Sequence, residues 1–126
     1  MRTILSVVFA LFLISVPLTA VAAEGPMSVA AEGPMSLPAG SNSGADMHNK
    51  AGIKNWNEGN IKGALKHFQE ASAEDGSLAE THFNEAVSLD KLGDHGAATM
   101  HFKAAKKHAK GNKAILDSPI LNGHLR

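Results

Sequence analysis

The residues of this 126-residue sequence whose type most suggests chemistry are its seven histidines. The sequence contains no cysteine. Neutral imidazole is the commonest protein ligand for zinc and several other metals. The spacing of the histidines matches no metal motif, because the sequence contains no His-Glu-x-x-His, no His-x-x-x-His and no Cys-x-x-Cys-His. Only His101 and His108 could share one helix face. We therefore predict no metal site, and a metal- or haem-handling protein is the most distant of three hypotheses.

Catalytic motifs do not appear in the sequence either. There is no nucleophile elbow, no phosphate-binding glycine loop and no paired-carboxylate motif. The absence of cysteine excludes disulfides, thiolate metal sites and thiol catalysis. A formal net charge of zero gives no whole-chain argument for nucleic-acid binding. We predict a non-catalytic protein without a cofactor, so function must come from a surface.

The elements that would form such a surface are set by an internal repeat of 34 residues between Met47 and Lys110. Small residues and one phenylalanine recur at the same phase, which is typical of a helix-turn-helix solenoid. His48 also pairs with His82, and His67 with His101. The other recurring pairs are Gly52 and Ala86, Gly59 and Gly93, Asn60 and Asp94, Ala64 and Ala98, Phe68 and Phe102, and Ala71 and Ala105.

The repeat resembles the tetratricopeptide family. Both copies carry that family's small–aromatic–small pattern, as Ala64-x-x-x-Phe68-x-x-Ala71 and Ala98-x-x-x-Phe102-x-x-Ala105, and both carry its turn. The resemblance covers about half of the chain. It implies an all-α fold of two helix hairpins in a short α-solenoid, at about 46–76 and 77–110, followed by a capping helix and tail at 111–126. It also implies protein–protein interaction through a concave groove.

In that family the first helix of each hairpin lines the groove. Trp56 is the only tryptophan of the chain, and tryptophan often dominates an interface; ordinary packing between hairpins is the alternative. Asn84 matches an asparagine of the family's carboxylate clamp, whereas Ile53 and Asn49 replace other clamp residues. A chaperone adaptor is therefore not favoured. The groove residues implied by the resemblance are Asn49, Ile53, Trp56, Asn57, Glu80, Phe83, Asn84, Val87 and Lys91.

The N-terminal third precedes the repeats. Residues 1–23 have a basic start, an apolar run and Ala20-Val21-Ala22, which predicts a cleaved signal peptide and an exported protein, periplasmic or secreted. An uncleaved membrane anchor is the alternative. Residues 24–45 are rich in proline and glycine and contain a duplicated octapeptide, Val21–Ser28 and Val29–Ser36. We predict that this stretch is a disordered linker.

Caps predict the helix boundaries. We expect helices at about Asp46–Glu58, Asn60–Ala73, Ser77–Leu92 and from Gly93-Asp94 to Lys110, the third starting with a capping box of Ser77 and Glu80. A shorter fifth helix could be bent at Pro119, or could begin anew with Ser118 as its cap. The predicted core contains Ala64, Ala71, Ala98, Ala105, Phe68 and Phe102, completed by Leu65, Phe83, Val87, Leu89 and Leu92.

Charge is divided along the repeats. Residues 46–90 contain eight acidic residues and four lysines, whereas residues 91–126 contain seven basic residues and two acidic ones. The basic end is either a solvated face beside a helix C-terminus or a docking site for an acidic protein, an anionic lipid surface or another copy. A self-assembling scaffold, as a homo-oligomer, is thus the second hypothesis. The basic end comprises Lys103, Lys106, Lys107, Lys110 and Lys113.

Overall fold

The computed structural model describes residues 31–126, and over this range the chain is all-α, with six helices and no strand. The predicted signal peptide and residues 24–30 of the predicted linker lie outside the described residues. Among the helices of the described range, none combines the length and hydropathy that crossing a bilayer requires. The helices are α1 (Ser43–Asn57), α2 (Ile61–Glu74), α3 (Ala79–Lys91), α4 (His95–His108), α5 (Lys113–Leu116) and α6 (Pro119–His124).

Two turns of the same design connect α1 to α2 and α3 to α4. Gly59 and Gly93 have φ angles of 79° and 89°, a left-handed conformation that glycine adopts without steric cost. Asn60 and Asp94 follow them as N-caps, and each side chain accepts a hydrogen bond from a backbone N–H of the first turn. The turns predicted at these two places are confirmed. As a result, α1 packs on α2 and α3 packs on α4, while α2 packs on α3.

The core lies between the paired helices and uses small residues to bring them close. A Cβ atom added at Gly52 would lie 2.4 Å from the ring of Phe68, so α1 approaches α2 more closely than any side chain would permit. The equivalent residue of the second pair, Ala86, is buried. The predicted alanines and phenylalanines of α2 and α4 are all fully buried: Ala64, Phe68, Ala71, Ala98, Phe102 and Ala105.

The residues predicted to complete the core divide into three groups. Phe83 and Val87 are buried, and the Phe83 ring meets the Phe102 ring edge to face at a centroid distance of 5.6 Å. Leu65 and Leu89 are half-buried. Leu92 is 41% exposed, contrary to the prediction. It is the C-cap residue of α3, where the chain already turns away from the core.

The start of α3 does not contain the predicted capping box. The N-cap is Leu78, which makes no side-chain capping bond. The Ser77 hydroxyl donates to Asp75 Oδ1 at 2.6 Å, and Glu80 Oε1 accepts from Asn112 Nδ2 at 2.8 Å. Glu80 therefore bonds to a residue 32 positions away instead of to its own helix terminus, because the fold brings the N-cap of α5 against α3.

The C-terminal residues form two short helices that cover α4. α4 ends at His108, two residues before the predicted end. Ser118 caps α6 and Pro119 occupies its first turn, which confirms the second of the two predicted alternatives. Ile115 and Leu121 are buried against the second helix pair, so α5 and α6 close the end of the core.

Residues 31–42 differ from the disordered linker that composition predicted. α1 begins at Ser43, because the Asn42 side chain accepts from the N–H groups of Gly44 and Ala45. Before it, residues 31–38, which we call the strap, run in a non-helical conformation across the helices. Proline and glycine exclude a helix here, but they do not prevent an extended segment from packing on a surface.

Candidate functional site

The strap contacts α1 and α3 at Met35, where two buried asparagine side chains hold its main chain. Asn84 Nδ2 and Asn49 Nδ2 both donate to the Met35 carbonyl oxygen, at 2.8 Å and 3.0 Å. The Met35 N–H donates to Asn84 Oδ1 at 2.7 Å. The Asn84 carboxamide therefore binds both main-chain groups of one residue, as a neighbouring strand would.

The two asparagines also bind each other. Asn84 Nδ2 donates to Asn49 Oδ1 at 2.6 Å, and neither residue is exposed to solvent. Buried carboxamides are costly when they lack partners. Because each one uses the other and Met35, the pair is fixed in an orientation that presents a donor and an acceptor to an extended backbone. This contact involves main-chain atoms of the strap and is therefore independent of its side chains.

Two further contacts keep the strap in place. The Ala31 N–H donates to the Ala114 carbonyl oxygen at 2.9 Å. Trp56 packs partly buried against the same core as Ala31 and Met35, and the Cβ position of Gly33 lies 4.0 Å from Trp56 Nε1.

The structure gathers only part of the predicted groove. Under the strap lie Asn49, Trp56 and Asn84, and we call this surface of α1 and α3 the groove. Ile53 is half-buried on the same helix as Trp56. Phe83 and Val87 belong to the core and are not accessible to a partner. Glu80 is buried and bonded to Asn112. Asn57 and Lys91 are exposed at the last residues of α1 and α3.

Sequence reasoning missed the occupant of the groove. The only available signal was a pair of apolar residues, Met35 and Leu37, within a stretch otherwise rich in proline, glycine and serine; Leu37 is 8% exposed. Asn49 and Asn84 are 35 residues apart, so they do not occupy equivalent positions of the 34-residue repeat. Comparing the repeats therefore could not pair them.

The basic end is exposed, as a solvated face or docking site requires. Lys110 lines a cavity of about 210 Å³ together with Pro38, Glu80 and His108, next to the end of the strap. The other lysines lie on the outer surface of α4 and at the start of α5. All of them are exposed: Lys103, Lys106, Lys107, Lys110 and Lys113.

The seven histidines fall into three clusters, each beside a carboxylate. His48 Nδ1 and His67 Nδ1 lie 3.0 Å and 2.9 Å from the same oxygen of Glu70. His82 and His101 lie beside Glu85, with His108 stacked on His82. The third cluster comprises His95, His124 and Asp90. Each cluster joins different helices or helix ends, and sequence spacing within one helix therefore could not find them.

Asp90 accepts two hydrogen bonds at one oxygen, from His95 Nδ1 at 2.7 Å and from His124 Nε2 at 2.8 Å. Burial raises the pKa of Asp90, but the hydrogen bonds from His95 and His124 together outweigh it and lower the pKa below its ordinary value. Because His124 is on α6 and His95 on α4, this carboxylate ties three helices together.

Replacing Asp90 with asparagine is expected to lower the free energy of unfolding by about 1 kcal/mol at neutral pH. A carboxylate with a lowered pKa stabilises the fold above its ordinary pKa, and this contribution is lost as the pH falls through the folded-state pKa. The difference between wild type and Asp90→Asn, measured by urea denaturation from pH 7 to pH 3, should therefore shrink toward low pH. A difference that stays constant over that range would contradict the assignment. Asp94→Asn, at an exposed cap, is the control.

Comparison with protein-family models, with curated proteins and with solved structures found no match. The groove of α1 and α3 and the three histidine clusters are therefore the features from which function can be inferred. Of these, the groove already holds a segment of polypeptide.

Proposed function

We propose that this chain is an exported, non-catalytic protein of the tetratricopeptide type, and that its groove binds an extended segment of a partner protein. The observation that carries the proposal is the set of hydrogen bonds between the side chains of Asn49 and Asn84 and the main chain of Met35. The 34-residue repeat and the two matching turns support the fold assignment. The N-terminal sequence supports export.

The chemistry of the groove favours an extended peptide over a helix or a small molecule. Asn84 satisfies one N–H and the C=O of a single residue, and in a helix interior both groups are already bonded within the helix. Main-chain bonds of this kind supply affinity, and neighbouring pockets supply specificity. Here Trp56 is the apolar contact, beside Gly33 of the strap.

The strap must compete with any such partner. It belongs to the same chain, and a short tether gives it a local concentration in the millimolar range. The apparent affinity for a partner is reduced by the fraction of chains in which the groove is open. Weakening the strap should therefore strengthen binding in trans, which is a result that an inert packing contact would not produce.

A labelled peptide with the sequence of residues 29–38 tests the proposal by fluorescence anisotropy. Met35→Pro removes the N–H that donates to Asn84, so the variant chain should bind the peptide more tightly than wild type does. Trp56→Ala added to Met35→Pro should weaken that binding by about 2 kcal/mol, roughly 30-fold. Asn57→Ala, an exposed asparagine on the same helix, should leave binding unchanged.

Circular dichroism must show that each variant is folded. If the folded Met35→Pro chain binds no peptide, the strap is a fixed part of the fold and the groove is not a binding site. If Trp56→Ala and Asn57→Ala behave alike, the partner surface lies elsewhere.

Self-assembly is a second candidate, and one observation favours it. The strap contains most of the second octapeptide copy, and the last five residues of the first copy, Glu24–Ser28, remain after the predicted cleavage. The strap of one chain would form with Asn49 and Asn84 of a second copy the same hydrogen bonds that it forms within its own chain. Sedimentation of the mature protein at high concentration decides this point, because a monomer at both low and high salt excludes strap exchange and contacts through the basic end.

A further inference from the structure

We propose that His82, Glu85 and His101 form a binding site for a divalent transition-metal ion, most suitably zinc, on the second helix pair. One ligand atom from each of the three side chains lies within 4.8 Å of the others. Two imidazoles and one carboxylate are a ligand set that zinc accepts in proteins, with a fourth position left for water. The site is separate from the groove and does not depend on the peptide-binding proposal.

The first observation is a pair of nitrogens without partners. Nδ1 of His82 and Nδ1 of His101 are both buried, and within residues 31–126 neither has a hydrogen-bond partner. Buried polar atoms are almost always paired, and an unpaired one in a folded protein calls for an explanation such as a bound ion. Two such atoms occur here in one cluster, on facing helices. An ion takes only one nitrogen of each ring, so it would pair His82 Nδ1, whereas His101 faces Glu85 through Nε2.

The second observation fixes the proton on His82. Its Nε2 lies 2.8 Å from the carbonyl oxygen of Gly76. A carbonyl can only accept, so Nε2 carries the proton, and in the neutral ring Nδ1 then presents a lone pair. A ring that donates one N–H to a backbone carbonyl and directs its other nitrogen at a metal is the usual arrangement of histidine ligands.

The third observation concerns Glu85, whose side chain is only 5% exposed. One carboxylate oxygen accepts a hydrogen bond from the Ser72 hydroxyl. The other lies 3.6 Å from His101 Nε2, which is too long for a hydrogen bond. A buried carboxylate requires a cationic or hydrogen-bonding partner, and a metal ion between Glu85 and the two rings would supply the charge on the free side.

The cluster is the right size, and a surface cavity adjoins its two imidazole rings. Ligand atoms about 2.1 Å from a tetrahedral zinc ion are about 3.4 Å apart. The side chains would have to close by no more than about 1.5 Å, which small rotations of two imidazoles can provide. A surface cavity of about 220 Å³, lined by His82, Met100, His101 and Ala104, provides the entry path.

The first helix pair supplies a matched control. His48 and His67 stand at the repeat positions equivalent to His82 and His101. Their Nδ1 atoms already share one oxygen of Glu70, at 3.0 Å and 2.9 Å. That cluster is satisfied by hydrogen bonds and is more exposed, so nothing in it calls for an ion.

Isothermal titration calorimetry of the mature chain with Zn²⁺ tests the site. We expect one ion per chain, and His82→Gln or His101→Gln should each weaken binding tenfold or more. The matched variants His48→Gln and His67→Gln should bind as wild type does. Mg²⁺ in large excess should not compete, because it prefers oxygen ligands in octahedral geometry.

A second measurement avoids substitutions altogether. In NMR spectra of the wild-type chain, Zn²⁺ should shift the ring resonances of His82 and His101 and leave those of His48 and His67 in place. The proposal is overturned if the chain binds no zinc, if His82→Gln binds it as tightly as wild type, or if His48→Gln loses binding to the same extent.

Discussion

Phe102→Ala is expected to lower the free energy of unfolding by about 3–5 kcal/mol. The Phe102 side chain is fully buried and meets Phe83 edge to face. Its ring also lies 4.9 Å, centroid to centroid, from the His124 ring. Phe102 therefore joins α4 to both α3 and α6, and truncation would leave a cavity that three helices border. Small domains are stable by only about 5–15 kcal/mol, so this loss is a large fraction of the total.

Urea denaturation followed by circular dichroism measures the effect. The matched control is Met100→Ala, on the same helix, because Met100 is 71% exposed and its truncation should change stability by no more than about 0.5 kcal/mol. If Phe102→Ala and Met100→Ala lowered stability equally, the described packing of α4 would be incorrect.

Asn84→Ala is expected to cost about 2–6 kcal/mol of stability. The substitution removes the acceptor for the Met35 N–H and the donor to Asn49 Oδ1, and each buried group left unpaired costs about 1–3 kcal/mol. It also removes one of the two donors to the Met35 carbonyl. The strap should therefore detach before the helices unfold.

Hydrogen exchange at the Met35 amide gives a local measure of the same change. The amide should be protected in wild type and should exchange much faster in Asn84→Ala. Asn57→Ala removes an exposed asparagine and should alter neither stability nor exchange. Unchanged protection of Met35 in Asn84→Ala would show that the strap is held by something other than the asparagine pair.

The features that the sequence predicted correctly depend on local structure. The turns at Gly59 and Gly93, and the buried stripe of alanines and phenylalanines, follow from residue types at fixed spacing. The repeat supplies each of these signals twice, at the same phase. The capping box predicted at Ser77 does not form, because a distant contact replaces the local one: Glu80 is bonded to Asn112, 32 residues away.

The candidate site could be predicted only in part. Asn49, Trp56 and Asn84 were among the groove residues, because the resemblance places the first helix of each pair along the groove. Met35 was not, since a stretch rich in proline and glycine carries no periodicity that indicates where it packs. The carbonyl and N–H that occupy the groove belong to the main chain, and every residue type except proline offers both.

The sequence by itself thus determined the helical repeat, its turns and the small residues that let paired helices approach, because these depend on contacts within one helix pair. Only the tertiary structure decided which residues meet across helices. It placed the strap on Asn49 and Asn84, and it brought His82 and His101, which are 19 positions apart in the chain, beside the buried Glu85. The repeat places both histidine pairs at the same spacing, but whether a pair meets a buried carboxylate depends on how the helices pack and on which buried polar groups need partners.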